Sequence, residues 1–402
     1  MSARTTESRA ASPLQLALFW LGIQAVWGAL LGISLQARTI ELATGNALLA
    51  YGRLATAGAA TAAVVQVLIG IWSDARRRQR SRRVEFYVLG AVGGAVALAF
   101  FYNARSFSAL IVSFVALQAA LNVAIGPYQA IIPDFVSTER IGRASSWMAA
   151  LQSAGNAIGA LAASFIANAR ALGAVLGGLL LVTCAVTSSH ARTIPVRETP
   201  AQAPLRVTRP FVDLFLSRAF VYVGFYTLLG YLLFYVQGVL QAATLANARL
   251  TTGILIVSFT IVGAAGAALA ARPSDRTDKR LVATLGGAGF IIALLLFIVS
   301  HGLAGAVAAT VVAGIGWGVF LVADWAIACR VLPAGAMAAA MGVWNLAIVL
   351  PQIVPPALTT WMLAHFSLAA AAVAPRAAFA LALAETLVGV IWLWRLPRSL
   401  IG

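Results

Sequence analysis

Apolar runs long enough to cross a bilayer follow one another along almost the whole of this 402-residue chain. A spanning helix needs about 20 apolar residues, so twelve spans would use roughly 240 to 290 residues and leave only short connections. Hydrophobic residues make up 61% of the chain and charged residues 10%, against about 25% charged in an average soluble domain. So few charges cannot cover a soluble protein of this length, and the same figures exclude disorder, coiled coils and disulfide scaffolds. The runs are continuous rather than alternating, which argues against an outer-membrane barrel. The 35 glycines suit helices that approach closely in lipid, where small residues replace the missing hydrophobic drive. The expected fold is an all-α membrane protein of twelve transmembrane helices.

The expected spans are 14–36, 47–73, 84–104, 106–133, 143–168, 171–190, 214–240, 250–272, 280–301, 303–332, 335–365 and 374–396. Ala191 to Pro210 is the one long polar stretch, with Pro195, Pro200, Pro204, Pro210 and four arginines, and it reads as an extended linker. The layout is a tail at 1–13, a six-helix half at 14–190, the linker at 191–213, a second half at 214–396 and a tail at 397–402. Met1 to Ser12 is polar and the run after it is of span length, so no cleavable signal peptide is expected. Cys184 and Cys329 both fall inside apolar runs and suggest no disulfide.

Arginine placement sets the expected orientation. Arg76, Arg77, Arg78, Arg80, Arg82 and Arg83 crowd one loop, and Arg272, Arg276, Lys279 and Arg280 crowd its counterpart. The opposite loops hold one each at most: Arg38, Arg105, Arg170, Arg249 and Arg376. Both termini are therefore expected in the cytoplasm, in a bacterial inner membrane. Basic clusters beside spans sit against anionic lipid, so the net charge of +16 requires no nucleic acid. The near absence of lysine, with Lys279 alone, hints at a GC-rich bacterial gene.

The halves repeat weakly. Ser73-Asp74 with basic residues closes the second span, and Ser274-Asp275-Arg276 closes the eighth at an offset of 201 residues. Trp147 in the fifth span matches Trp344 in the eleventh, 197 residues on. Two six-helix halves in parallel repeat describe a transporter that rocks around a central site.

This organisation resembles the major facilitator superfamily over essentially the whole chain. Gly70-Ile71-Trp72-Ser73-Asp74 with its basic loop is similar to the signature between that family's second and third helices. Asn122 to Ala130, continuing through Pro133, Asp134, Glu139, Arg140, Gly142 and Ala144, resembles the fourth helix of the sucrose-type carriers among the glycoside–pentoside–hexuronide cation symporters. Gly22-Ile23-Gln24 with Trp27-Gly28 resembles their first helix. Ala323-Asp324, Val331-Leu332-Pro333 and Gly342-Val343-Trp344-Asn345 with Pro351-Gln352 resemble their tenth and eleventh. The resemblance implies proton-coupled uptake of a disaccharide or other glycoside, and a cytoplasmic gate of carboxylates and arginines. Gln129 stands where plant sucrose carriers have an arginine, so no role through that arginine carries over. The second span has Arg53 and Thr56 but no acid before Asp74, which argues against the sodium coupling of melibiose-type members.

An ionisable residue inside a span costs about 2.5–3.5 kcal/mol on insertion scales, so it faces a cavity or a partner. Asp324, about two turns from the end of the tenth span, is the first candidate for proton coupling; the alternative is a structural salt bridge to Arg330. Glu385, mid-way along the last span, is a second coupling candidate or a structural or oligomer contact. Arg53 either binds solute or snorkels to the interface. Asp74 and Asp275, with Arg78 and Arg276, are expected to anchor the gate or merely to cap helices. Asp134, Arg140 and Arg143 belong to the same gate or to a helix-end ion pair.

Polar stripes mark the expected solute face. Gln118, Asn122 and Gln129 share a helical face, as do Gln152 and Asn156, and then Asn345 and Gln352. Together with Gln24 they can donate to and accept from sugar hydroxyls, or simply bond neighbouring helices. Trp27, Tyr222, Tyr226 and Trp344 offer aromatic platforms for a sugar ring, or packing.

Enzyme chemistry finds no support. His190, His301 and His365 are far apart at span ends, no His/Cys cluster has metal-ligand spacing, and no P-loop occurs. The expected protein is a monomeric secondary transporter that needs no cofactor, driven by a proton gradient rather than sodium. Its partners are the bilayer and a small solute bound between the halves, a glycoside by resemblance. An efflux carrier for an amphipathic compound, or a non-transporting assembly factor on the same scaffold, are the alternatives.

Overall fold

The computed structural model describes residues 12–77, 83–129, 131–136, 141–194, 207–332, 343–344, 346–348, 350–352 and 354–398. Regular structure among them is helical throughout. The long helices are α1 (Pro13–Leu42), α2 (Ala47–Arg77), α3 (Val84–Asn103), α4 (Phe107–Tyr128), α5 (Ile141–Phe165), α6 (Ala169–Thr193), α7 (Arg209–Gly238), α8 (Leu245–Arg276), α9 (Lys279–Val299), α10 (Leu303–Val331), α11 (Leu346–His365) and α12 (Ala374–Arg395). All except α5 contain a stretch long and apolar enough to cross a membrane. On α5 the amides of Gln152 and Asn156 interrupt the apolar sequence of a 25-residue helix and lower its mean hydropathy.

The short polar connections act as caps. Ser106 Oγ accepts the Ala109 N–H, Asn168 accepts those of Arg170 and Ala171, Thr208 that of Phe211 and Thr244 that of Asn247. Each side chain satisfies donors that the first helical turn leaves open. Pro13 and Pro210 sit in first turns, where a missing N–H removes no helical bond. The fourth expected span ends earlier than 133: α4 stops at Tyr128, just past Pro127, and a separate short helix covers Ile131–Phe135.

The residues group into two compact units. One takes in 1–29, 60–162 and 166–201, the other 30–59, 163–165 and 202–402. In the first unit α3 packs on α4 and α6. Gly28 and Gly159 let α1 and α5 touch, since a Cβ on either would strike the facing backbone at Asn156 or Ala25. Phe19, Tyr87 and Tyr128 form a buried aromatic knot, with ring centroids 5.0 Å apart for Phe19–Tyr128 and 5.2 Å for Tyr87–Tyr128.

In the second unit α10 packs against α8 and α9, and α12 against α7 and α9. Gly286 and Gly316 meet at the α9–α10 crossing, where a Cβ on either would run into the other helix's backbone. The C-terminal portion of α1 belongs to this unit and begins with a π-helical turn, Leu30–Ser34.

Candidate functional site

The second unit brings together a polar cluster from α7, α10, and the α11 region. Arg218 of α7 forms an ion pair with Asp324 of α10 through its Nη1, and both side chains are buried. Arg330, the partner considered in the alternative reading of Asp324, is exposed in the last turn of α10. Arg218 also donates from Nη2 to the Tyr222 hydroxyl at 3.2 Å, one turn along the same helix. Its guanidinium lies 3.7 Å from the centre of the Trp344 ring and 4.8 Å from that of Tyr222. Such cation–π contacts contribute about 2 kcal/mol where water is excluded. Removing one partner of a buried ion pair costs about 3–5 kcal/mol, because the other charge stays behind.

One further turn along α7, Tyr226 accepts a hydrogen bond from Gln352 Nε2 at 3.2 Å. Phe225 stacks on Trp317 with centroids 4.3 Å apart, and Trp317 meets Tyr222 edge-on at 5.0 Å. Trp325 packs on Trp344 at 4.7 Å. Of the residues singled out in the sequence, Tyr222 and Trp344 thus touch Arg218, the partner of Asp324 that was not expected, and Gln352 touches Tyr226. The i, i+4, i+8 stripe Arg218-Tyr222-Tyr226 was the available signal. Starting the seventh span at 214 set Arg218 only a turn inside, where an arginine reads as snorkelling. The helix begins at Arg209, which moves Arg218 more than two turns in. Asn345 lies outside the described residues.

The amides of the first unit form separate pairs. Gln24 of α1 donates to Gln152 of α5 at 3.5 Å, an interhelical contact. Asn122 bonds back to Gln118 within α4, 2.8 Å to the carbonyl and 3.4 Å to Oε1, and both are buried. Gln129 caps α4, Trp27 is half-buried, and Asn156 is exposed. Arg53 is exposed on α2 and does not join the Arg218 cluster. Glu385 is buried on α12, and its Oε2 has no hydrogen-bond partner among the described residues.

Among the expected gate residues, Asp134 faces Arg83 at 3.8 Å, with both side chains largely buried. Arg83 was legible as part of the basic loop but not as this partner, because the pairing depends on where the short helix Ile131–Phe135 lies. Arg276 is exposed at the end of α8. Arg78 and Arg140 lie outside the described residues, and the side chains of Asp74, Arg143 and Asp275 do too. In the second unit, Asp213 accepts from Trp392 Nε1 at 3.0 Å and has Arg395 at 3.7 Å and Arg209 at 3.9 Å. Asp278 caps α9 and binds Arg280 at 2.7 Å, and Arg280 Nη1 donates to the Leu396 carbonyl.

The chain is thus a multi-pass helical membrane protein with a buried ion pair inside one of its units. The family model of the Major Facilitator Superfamily matches residues 15–356, and the chain belongs to that superfamily. Solved structures agree in fold. A bacterial homolog of the human lysosomal transporter Spinster, inward-facing and occupied, aligns over 96% of this chain and 95% of its own, with a TM-score of 0.75 and 17% identity. The nucleoside transporter NupG aligns over 96% and 98%, with a TM-score of 0.73 and 13% identity. No curated protein matches the chain by sequence.

Proposed function

We propose that this carrier is a proton-coupled symporter of a disaccharide or related glycoside, working by alternating access. The observation that carries the reading is the buried pair of Asp324 and Arg218. A proton arriving on Asp324 abolishes the pair's attraction, so protonation changes which conformations of the surrounding helices are favoured. Tyr222, Tyr226 and Gln352 supply hydroxyl and amide groups for sugar hydroxyls. The Arg83–Asp134 contact supports a gate that must open in each cycle.

The energy source in this reading is the proton gradient, with no cofactor and no sodium. The protein works as a monomer in a bacterial inner membrane with both termini in the cytoplasm, as its arginine distribution supports. The test is reconstitution in vesicles without a sodium gradient, following external pH while single glycosides are added. Alkalinisation with a glycoside supports the reading, and its loss in Asp324→Asn assigns the proton. Uptake without alkalinisation rejects proton coupling.

A second reading is export of an amphipathic compound. The stacked Phe225–Trp317 pair, with Tyr222 beside it, supports it by offering aromatic faces next to a charge. Export of a dye from loaded vesicles, competed by amphipathic compounds and not by sugars, would favour it.

A further inference from the structure

The hydrogen-bond balance around Arg218 is one-sided. Arg218 Nε and Trp344 Nε1 are both buried donors with no hydrogen-bond partner among the described residues, and both residues are more than nine-tenths buried. They are neighbours, since the guanidinium lies over the Trp344 ring at 3.7 Å. Buried donors left open are costly and call for an acceptor. The cluster's one carboxylate, Asp324, is taken up by Arg218 Nη1.

We infer that the solute carries a carboxylate, and that this carboxylate takes the place of Asp324 on Arg218 when Asp324 accepts the proton. The inference rests on the proton-coupled reading above and narrows its glycoside to a sugar acid. A neutral solute would leave the Arg218 cation buried beside a protonated Asp324 with no counter-charge, the costly situation for a buried pair. A carboxylate restores the balance and brings oxygen atoms to the open Nε–H and Nε1–H groups. Charge is conserved: one proton and one solute anion enter a neutral pair and give a neutral acid beside a new neutral pair, so the step is electroneutral.

The groups facing Arg218 allow this assignment. Its own helix contributes Tyr222 and Tyr226, and α10 contributes Asp324. On α12, packed along α7, Arg395 is drawn to Asp213, and Glu385 makes no ion pair among the described residues. The arginines of α8 lie near its ends, and the α11 region presents the neutral Gln352.

Purified full-length protein in detergent gives the first test. Asp324→Asn leaves Arg218 without its carboxylate, so formate or acetate should raise the melting temperature of this variant saturably. The wild type should not respond at neutral pH, and the double variant Arg218→Gln with Asp324→Asn should respond at no concentration. Should Asp324→Asn fail to fold, wild-type protein is titrated with formate between about pH 8 and pH 5, where affinity should rise about tenfold per pH unit, the slope of one linked proton. A folded Asp324→Asn indifferent to both anions, or a wild-type formate response independent of pH, overturns the inference.

Vesicles then separate this inference from the wider reading, using lactose and its acid, lactobionate. Alkalinisation with lactobionate alone, unchanged by an imposed membrane potential, supports both. Alkalinisation with lactose alone keeps glycoside symport and overturns the carboxylate. Anion rescue of Asp324→Asn with no alkalinisation from either sugar keeps the carboxylate site and overturns proton–glycoside symport. Failure of rescue and of alkalinisation together overturns both.

Discussion

Gln36 joins the C-terminal portion of α1 to Gly230 of α7 while also tying down its own helix. The same amide nitrogen donates to the Gly230 carbonyl at 3.1 Å and to the Leu31 carbonyl at 2.6 Å. Leu31 lies within the π-helical turn, where carbonyls are out of step with the usual partners four residues on. The side chain is fully buried, so no water can replace it. Replacement by leucine should leave both carbonyls with one partner fewer and destabilise the protein by about 1–3 kcal/mol. A lowered melting temperature of the purified Gln36→Leu variant checks this, and an unchanged one would mean that the two bonds contribute nothing net.

The Arg83–Asp134 contact should behave as a coupled pair. Asp134→Asn leaves a buried guanidinium with less counter-charge, and Arg83→Gln does the reverse. Each single variant should be less stable than the wild type, and the double variant should recover part of the loss. Interaction energies of about 0.5–3 kcal/mol are usual for groups in one network. Strict additivity across the double-mutant cycle would show that the two side chains do not communicate.

Asp278 gives a pH prediction outside the spans. The Arg280 side chain hydrogen-bonded to it holds its carboxyl below the usual carboxylate range; partial burial opposes this, while the Arg280 N–H and the charges of Arg280 and Arg398 add to it. A depressed folded-state value gives stability that is present above the unfolded value, about 3.9, and is lost as pH falls through the folded one. Asp278→Asn should therefore lower stability near neutrality and flatten the acid limb of a melting-temperature profile below about pH 4. An unchanged acid limb in the variant would exclude Asp278 as a contributor.

Glu385 is expected to be dispensable for coupling. Its Oε2 is buried on α12 without a partner among the described residues, and the Arg218–Asp324 pair forms without it. Glutamine fills the same volume with no charge to desolvate. Glu385→Gln should keep proton-coupled uptake in vesicles and should not lower the melting temperature. Uptake that loses its proton dependence would instead place Glu385 in the coupling path.

Much of the fold was legible because the bilayer imposes a local rule. Each span must satisfy its own backbone hydrogen bonds and show an apolar surface, so length and hydropathy alone locate it. The capping residues Ser106, Asn168 and Thr208 act by the same local rule, each bonding N–H groups of the turn that follows it. The fourth span was read too long because Pro127 and Pro133 lie within one apolar sequence, and hydropathy does not register where a proline-containing helix stops.

The sequence by itself determined an all-helical membrane chain with rare intramembrane charges, and it pointed to Asp324, Tyr222, Tyr226, Trp344 and Gln352 as residues to watch. Only the tertiary structure decided which charges meet. Arg218 and Asp324 are 106 positions apart on separate helices, and Arg83 and Asp134 are likewise distant in the chain. Periodicity places a side chain on a face of its own helix but says nothing about the rotation and depth of the helix opposite. Those are set by packing, at contacts such as Gly286 against α10, where the absence of a side chain on one helix determines how closely the other can approach.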